Sequence, residues 1–147
     1  MTNSNGNQSS YIDNDTARGR FRVSREAFVS HSVFEEEKKR IFDRCWLYLG
    51  HDSELKEPGA FLRRDVAGRD IIFNRDSDGR LNAFFNSCPH RGTAFCQERQ
   101  GSSKTFRCFY HGWVFNDKGS LVDRPGAGDG YPPGFNEDGA YNLARVP

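Results

Sequence analysis

The chain has 147 residues, of which 35% are hydrophobic and 14% are aromatic, with thirteen Phe. This is enough apolar material for one small domain whose core is filled largely by aromatic rings. The formal net charge is +1, which argues against a nucleic-acid partner. No run of apolar residues reaches the length of a membrane span, so no membrane partner is expected either.

The first part of the chain is polar and then becomes helical in pattern. Residues 1–17 are rich in Asn and Ser, which predicts a disordered leader. Residues 18–49 are predicted to be an N-terminal helical segment, with the helix itself over 24–49. Ser32 and Glu35 have the spacing of a capping box at a helix start. Apolar residues at near-helical spacing predict a face that packs against a core, namely Phe34, Ile41, Cys45 and Leu49, widened by Phe42 and Trp46.

Residues 50–124 have the pattern of a mainly β domain made of small antiparallel sheets. Asp76–Gly79 and Asn116–Gly119 have the composition of hairpin turns between strands. The short strand-type runs contain Phe61-Leu62 with Val66, Ile71–Phe73, Leu81 with Phe84-Phe85, Phe106, Trp113–Phe115 and Leu121-Val122.

Two short motifs in this β region carry the chemistry. Cys-Pro-His at 88–90 and Cys-Phe-Tyr-His at 108–111 each pair one thiol with one imidazole. Thiolate is a soft ligand for iron that is bridged by sulfide, and neutral imidazole makes such a centre easier to reduce. The set predicts a two-iron, two-sulfur centre with both thiolates on one iron and both imidazoles on the other. We expect a ligand loop at the end of each of two hairpins, with the ligands Cys88, His90, Cys108 and His111.

The motifs alone leave two other interpretations open. Two Cys and two His can also form a tetrahedral zinc site, although zinc modules usually group Cys with Cys and His with His. The four residues could also be unconnected. Cys45 and Cys96 are expected to be free thiols, as is usual in a reducing cytoplasm, which is the predicted location. Trp113 is expected to pack beneath the centre, and the roles of Arg91 and Tyr110 stay open.

The stretch CPHRG at 88–92, followed by CFYHGW at 108–113, resembles the Rieske domain of the large (alpha) subunits of aromatic-ring-hydroxylating dioxygenases. The resemblance extends upstream through the helical segment and covers residues 23–124. It implies a one-electron relay through one [2Fe-2S] cluster. In the full-length enzyme it also implies hydroxylation of an aromatic compound with O2 and electrons derived from NAD(P)H.

The resemblance also implies partners. They are a reductase or ferredoxin that donates electrons, and further copies of the subunit in a trimer-based homo-oligomer, with or without beta subunits. A stand-alone Rieske ferredoxin is the alternative, but such carriers lack the helical segment that precedes the β domain.

Residues 125–147 are rich in Gly and Pro and predict an irregular linker toward a catalytic domain that is absent from these 147 residues. In the resembling subunits that domain holds a mononuclear Fe(II), which needs two His and one carboxylate. Apart from the two motif histidines, the chain has only His31 and His51. We therefore expect the mononuclear iron only in the downstream domain.

Overall fold

A computed structural model describes residues 11–147. The chain divides into a first unit that ends at Trp46 and a second unit, Leu47–Pro147. Each helix within residues 11–147 is too short or too polar to span a bilayer.

The first unit combines a small hairpin with short helices. Strand β1 (Ile12–Asp15) pairs with the antiparallel strand β2 (Arg20–Val23) through a 3-10 turn at Thr16–Arg18. Helix α1 covers Glu26–Val29. Helix α2 covers His31–Glu37 and continues as a π-helical turn over Lys38–Phe42.

The disordered leader predicted for residues 1–17 is wrong for residues 12–17, because the β1–β2 ladder and the turn order them. An ion pair between Arg20 and Asp13, 3.2 Å long, adds to this pairing. Residues 1–10 lie outside the described residues. Strand β2 likewise lies inside the segment 18–49 that was predicted to be helical.

The predicted helix over 24–49 is shorter and begins differently. The N-cap of α2 is Ser30 rather than Ser32, and the two hydroxyl oxygens lie 2.9 Å apart. Ser32 lies inside the first turn, so it does not form the predicted capping box with Glu35. The helical region ends at Phe42. The predicted core face is also wrong, since none of the residues in these helices is buried in the described chain.

The second unit contains two antiparallel sheets, as the mainly β prediction required. The four-stranded sheet has the order β5-β4-β3-β6, with β3 at Ala60–Val66, β4 at Arg69–Arg75, β5 at Leu81–Phe85 and β6 at Gln100–Ser102. The three-stranded sheet has the order β7-β8-β9, with strands at Thr105–Arg107, Val114–Asn116 and Leu121–Asp123. A 3-10 turn at Asp52–Glu54 precedes β3.

Both predicted hairpin turns are present. Asp76 follows β4, and its Oδ1 accepts hydrogen bonds of 2.9 Å from the N–H groups of Asp78 and Arg80. Asn116, the last residue of β8, does the same, with Oδ1 accepting from the N–H groups of Lys118 and Ser120. A short polar side chain that bonds to the backbone ahead of it is what makes these residues favourable in turns.

The ligand loops differ from each other in topology. The second one, 108–111, lies in the β7–β8 hairpin, as predicted. The first one, 88–90, lies between β5 and β6, which occupy opposite edges of the four-stranded sheet. Since β4 and β3 stand between them, this connection is a crossover rather than a strand-to-strand hairpin.

Phenylalanine rings join the two sheets. Phe61 of β3 meets Phe106 of β7 edge to face, with ring centroids 5.4 Å apart. Phe95, from the crossover, contacts both Phe106 and Phe115 at 5.7 and 5.9 Å. A buried hydrogen bond from Asn74 Nδ2 to the carbonyl of Asp117, 2.8 Å long, adds a polar link between the sheets.

The tail that was predicted as a linker, residues 125–147, is irregular but belongs to the second unit. Leu143 is buried in the core. The N–H of Phe85 donates to the carbonyl of Ala144, and the N–H of Val146 donates to Ala83, both at 3.0 Å. The end of the tail therefore lies along the free edge of β5.

Replacing Gly119 with Ala should destabilise the second unit strongly. Gly119 has φ +86, and a Cβ there would lie 2.5 Å from Cε1 of the buried Phe84. Gly79 is a matched control, with φ +82 and nothing within 4 Å. In urea titrations, Gly79→Ala should lower the free energy of unfolding by about 1 kcal/mol, from backbone strain alone. Gly119→Ala should cost a further ~1–3 kcal/mol from overpacking. Equal losses would show that Phe84 does not restrict this turn.

Candidate metal centre

The two ligand loops are built by the same backbone pattern. The N–H of Cys88 donates to the carbonyl of Thr93 at 2.8 Å, and the N–H of Gly92 donates back to Cys88 at 2.8 Å. In the second loop, Cys108 bonds to Trp113 at 2.8 Å, and Gly112 donates to Cys108 at 2.9 Å. Gly92 and Gly112 both have φ +72, a conformation that residues with a Cβ rarely adopt. The Gly after each motif therefore lets the chain turn back beside its Cys.

The two loops bring the predicted ligands together in pairs. Cys88 and Cys108 are each 2% exposed and belong to the apolar core, and their thiols are close enough to hydrogen-bond. The rings of His90 and His111 meet edge to face, with centroids 4.6 Å apart. Both imidazoles are half-buried. The site therefore has a thiol end in the core and an imidazole end near the surface.

This arrangement differs from a single-metal site. In a tetrahedral zinc centre, all four ligands meet at one ion. Among residues 11–147, no group of three His, Cys, Asp or Glu side chains is placed to hold one metal ion. Separate pairs of thiols and imidazoles suit a centre with two metals of different ligation.

Burial shifts the pKa of the Cys88 thiol and the pKa of His90 in opposite directions. Burial raises the pKa of Cys88 to about 11, and the Cys108 thiol adds to this rise. The backbone N–H groups of His90 and Arg91 donate to the Cys88 sulfur and oppose the rise, because they stabilise a thiolate. Burial lowers the pKa of His90, with smaller effects of the positive charges of His111 and Arg91. His90 is therefore neutral at pH 7, as a metal-ligating imidazole must be.

One buried atom of His90 bears on whether the site can hold a metal. His90 Nδ1 is buried and has no hydrogen-bond partner. Buried polar atoms are nearly always satisfied, and each exception needs an explanation. A buried, unpartnered nitrogen on a neutral imidazole fits a site that holds a metal.

Trp113 lies flat against His90, with ring centroids 4.8 Å apart and an interplanar angle of 6°. It is 2% exposed and belongs to the core of the second unit. On the outer side, Tyr110 lies 3.8 Å from the His111 ring, centroid to centroid, and is exposed together with Phe109. Arg91 is exposed as well.

The remaining thiols are free, as predicted. Cys96 is buried, and its sulfur lies 3.6 Å from the carbonyl oxygen of Glu98. Burial raises the pKa of Cys96 to about 11. Cys45 is exposed and lies in the first unit.

Sequence reasoning missed the side chain that closes the first ligand loop at its base. Asn86 is 4% exposed, and its amide bonds both to the N–H and to the carbonyl of Cys96, at 2.9 and 2.8 Å. The Asn86 amide also donates a hydrogen bond to the Asp70 carboxylate at 2.9 Å, and the Arg63 guanidinium donates to the same carboxylate at 2.8 Å. A lone Asn before a motif carries no sequence signal, because its partners are set by the fold.

A small two-sheet β domain with paired thiols and paired imidazoles on two matching loops is the architecture of an iron-sulfur electron carrier. The Rieske [2Fe-2S] domain model matches residues 45–133. The chain therefore belongs to the Rieske [2Fe-2S] domain family, and its cofactor is one [2Fe-2S] cluster, as predicted.

The relatives are oxygenase subunits. The chain is 37% identical to the large subunit of 2-halobenzoate 1,2-dioxygenase from Burkholderia cepacia, over 95% of this chain and 30% of that one. It is also 37% identical to the alpha subunit of toluate 1,2-dioxygenase from Pseudomonas putida, over 93% and 30%. A structure of naphthalene 1,2-dioxygenase with indole bound matches with a TM-score of 0.72 at 36% identity, over 78% of this chain and 26% of that one. The chain thus spans less than a third of these relatives.

Replacing Asn86 with Ala should loosen the first ligand loop. The change leaves the buried N–H and carbonyl of Cys96 without partners, so the free energy of unfolding should fall by about 2 kcal/mol or more. Gln97→Ala is the control, since it removes one exposed bond to the Ala94 carbonyl in the same loop and should cost less than ~0.5 kcal/mol. Urea titration followed by iron analysis is the measurement. An Asn86→Ala protein as stable as Gln97→Ala would contradict the assigned role.

Proposed function

We propose that Cys88, His90, Cys108 and His111 hold the [2Fe-2S] cluster, with the thiolates on one iron and the imidazoles on the other. The chain then relays single electrons as part of the large subunit of an aromatic-ring-hydroxylating dioxygenase. The observation that carries the ligand assignment is the buried, unpartnered His90 Nδ1 beside a second imidazole, with a pair of buried thiols on the same two loops.

The chain's own residues give the two ends of the centre different tasks. When bound, the cluster accepts and donates one electron at a time. The core around Cys88 and Cys108 keeps water from the thiolates, and backbone N–H groups at the Cys88 sulfur stabilise its negative charge. His90 and His111 reach toward the surface. The imidazole end is therefore the shorter path for electrons that enter or leave.

The activity of the whole subunit is also part of the proposal. It rests on the relatives, which are dioxygenase subunits, and on the share of their length that this chain spans. We propose that a longer subunit adds a mononuclear Fe(II) domain and uses O2 to hydroxylate an aromatic compound. A reductase or ferredoxin would supply electrons that come from NAD(P)H. Homo-oligomers based on trimers, in the cytoplasm, are part of the same proposal, and the free thiols of Cys45 and Cys96 are consistent with a reducing compartment.

Alanine at Cys88, His90, Cys108 or His111 should abolish the cluster. Purified without oxygen, the parent chain should contain about two irons and two sulfides. Each change removes one of the four ligands, so each variant should contain neither. Its reduced form should also lose the Rieske electron paramagnetic resonance signal, whose average g lies below that of all-thiolate ferredoxins. Cys45→Ser and Cys96→Ser should keep both. Loss of iron in Cys96→Ser would show that the ligand set is wrong, and stoichiometric zinc in place of iron would refute the cluster.

The 147-residue chain should accept electrons but not oxygenate. Titration with dithionite should consume about one electron per cluster, since only one of the two irons is reduced. With an aromatic substrate, O2 and a complete reductase chain, no hydroxylated product should form. Beyond the proposed ligands, the sequence offers only His31 and His51, which supply no two-His, one-carboxylate site. Hydroxylated product above that of a free-iron control would show that this chain does more than relay electrons. Joining the chain to the downstream region of a relative should restore turnover.

A further inference from the structure

Residues from the tail, together with Arg124 just before it, pack around Trp113. Three aromatic rings meet Trp113 edge to face, at centroid distances of 5.6 to 6.4 Å. With the arginine that lies over two of them, they form what we call the aromatic clamp, composed of Arg124, Tyr131, Phe135 and Tyr141. Edge-to-face contacts at these distances are the favourable geometry for aromatic pairs.

Arg124 holds two rings of the clamp together. The centre of its guanidinium group lies 4.4 Å from the ring centroids of both Tyr131 and Phe135. Its Nε is buried and has no hydrogen-bond partner. A cation that is partly desolvated over two ring faces is attracted more strongly than an exposed one. The rings themselves are 4.6 Å apart, so one cation fixes both.

The clamp is also held from the other end of the tail. Asn136 has φ +69, a conformation that Asn tolerates better than most residues. Its Oδ1 accepts from the N–H of Tyr141 at 2.6 Å, and its Nδ2 donates to Asn142 at 3.0 Å. Asn142 in turn accepts from the N–H of Leu121 in β9 at 3.0 Å. The tail rings are thus fixed to the sheet that carries the second ligand loop.

We propose that the aromatic clamp positions His90: it holds Trp113 flat against the imidazole and so fixes the plane of that ring at the iron. This inference rests on the proposed role of His90 as a ligand. The clamp residues are positioning residues, because Trp113 is the one in contact with the imidazole. Groups that orient a ligating histidine affect both metal retention and the electronic properties of the metal.

The test uses variants of the clamp in the cluster-loaded chain. Arg124→Gln removes the cation and Phe135→Leu removes a ring that contacts both Trp113 and Arg124. Both proteins should retain two irons and a parental far-UV circular dichroism spectrum. The g-values of the reduced cluster should shift, and cluster bleaching by a chelator should be about 10-fold faster. Arg124→Lys keeps a cation over the rings and should move both readouts back toward the parent.

Arg145→Gln is the matched control. It removes another arginine–ring contact, 5.2 Å from the Phe84 centroid, which does not involve Trp113. It should leave the g-values and the bleaching rate unchanged. Parental g-values and bleaching in both Arg124→Gln and Phe135→Leu would overturn the proposal. If those two proteins do not fold, Tyr141→Leu replaces them, because Tyr141 is the most exposed of the three rings. Its g-values and bleaching rate should change in the same direction, and parental values would overturn the proposal. Absence of a cluster from the parent chain would instead refute the ligand assignment.

Discussion

The whole second unit depends on aromatic packing between its two sheets. Phe61 and Phe106 meet across the gap, and Phe95 fills the space between Phe106 and Phe115. Each ligand loop belongs to a different sheet region, so neither loop alone can assemble the centre. Because interiors are packed closely and rings leave little freedom to slide, this contact fixes the distance between the loops. The pairing of the two thiols and of the two imidazoles follows from it.

The same packing explains why the two ends of the centre differ. Cys88 and Cys108 lie inside the core, while His90 and His111 lie farther along each loop and are half-buried. Matching backbone turns place the histidine two residues after the first Cys but three residues after the second. The two rings meet edge to face, at an interplanar angle of 68°. Trp113, which immediately follows the second loop's Gly, then covers the His90 ring from below.

The sequence predicted what local chemistry determines. The Asp76 and Asn116 turns and the apolar strands depend on residue types at short spacing, and each was found. The start of α2 was misplaced because Ser30 and Ser32 are equally good caps, and only backbone geometry chooses between them. Strand β6, Gln100–Ser102, is polar and exposed, so it carries no strand pattern.

Contacts between residues that are distant in the sequence could not be predicted at all. The role of Asn86 depends on Asp70, which precedes it on another strand, and the Gly- and Pro-rich tail looks like a linker until its rings meet Trp113. Such contacts join residues that are far apart in the chain, and no local pattern encodes them.

The crossover between β5 and β6 has a consequence for the order in which the chain folds. The second ligand loop closes a local hairpin, in which Thr105 pairs with Asn116. Hairpins of this kind form in about 1–10 μs. The first loop is closed only when β4 and β3 are already in place, since its flanking strands pair with them and not with each other. Contacts of larger sequence separation form more slowly. When the complete chain refolds, the hairpin that holds Cys108 and His111 should therefore close before the crossover that holds Cys88 and His90, so the four side chains come together only once the four-stranded sheet has formed.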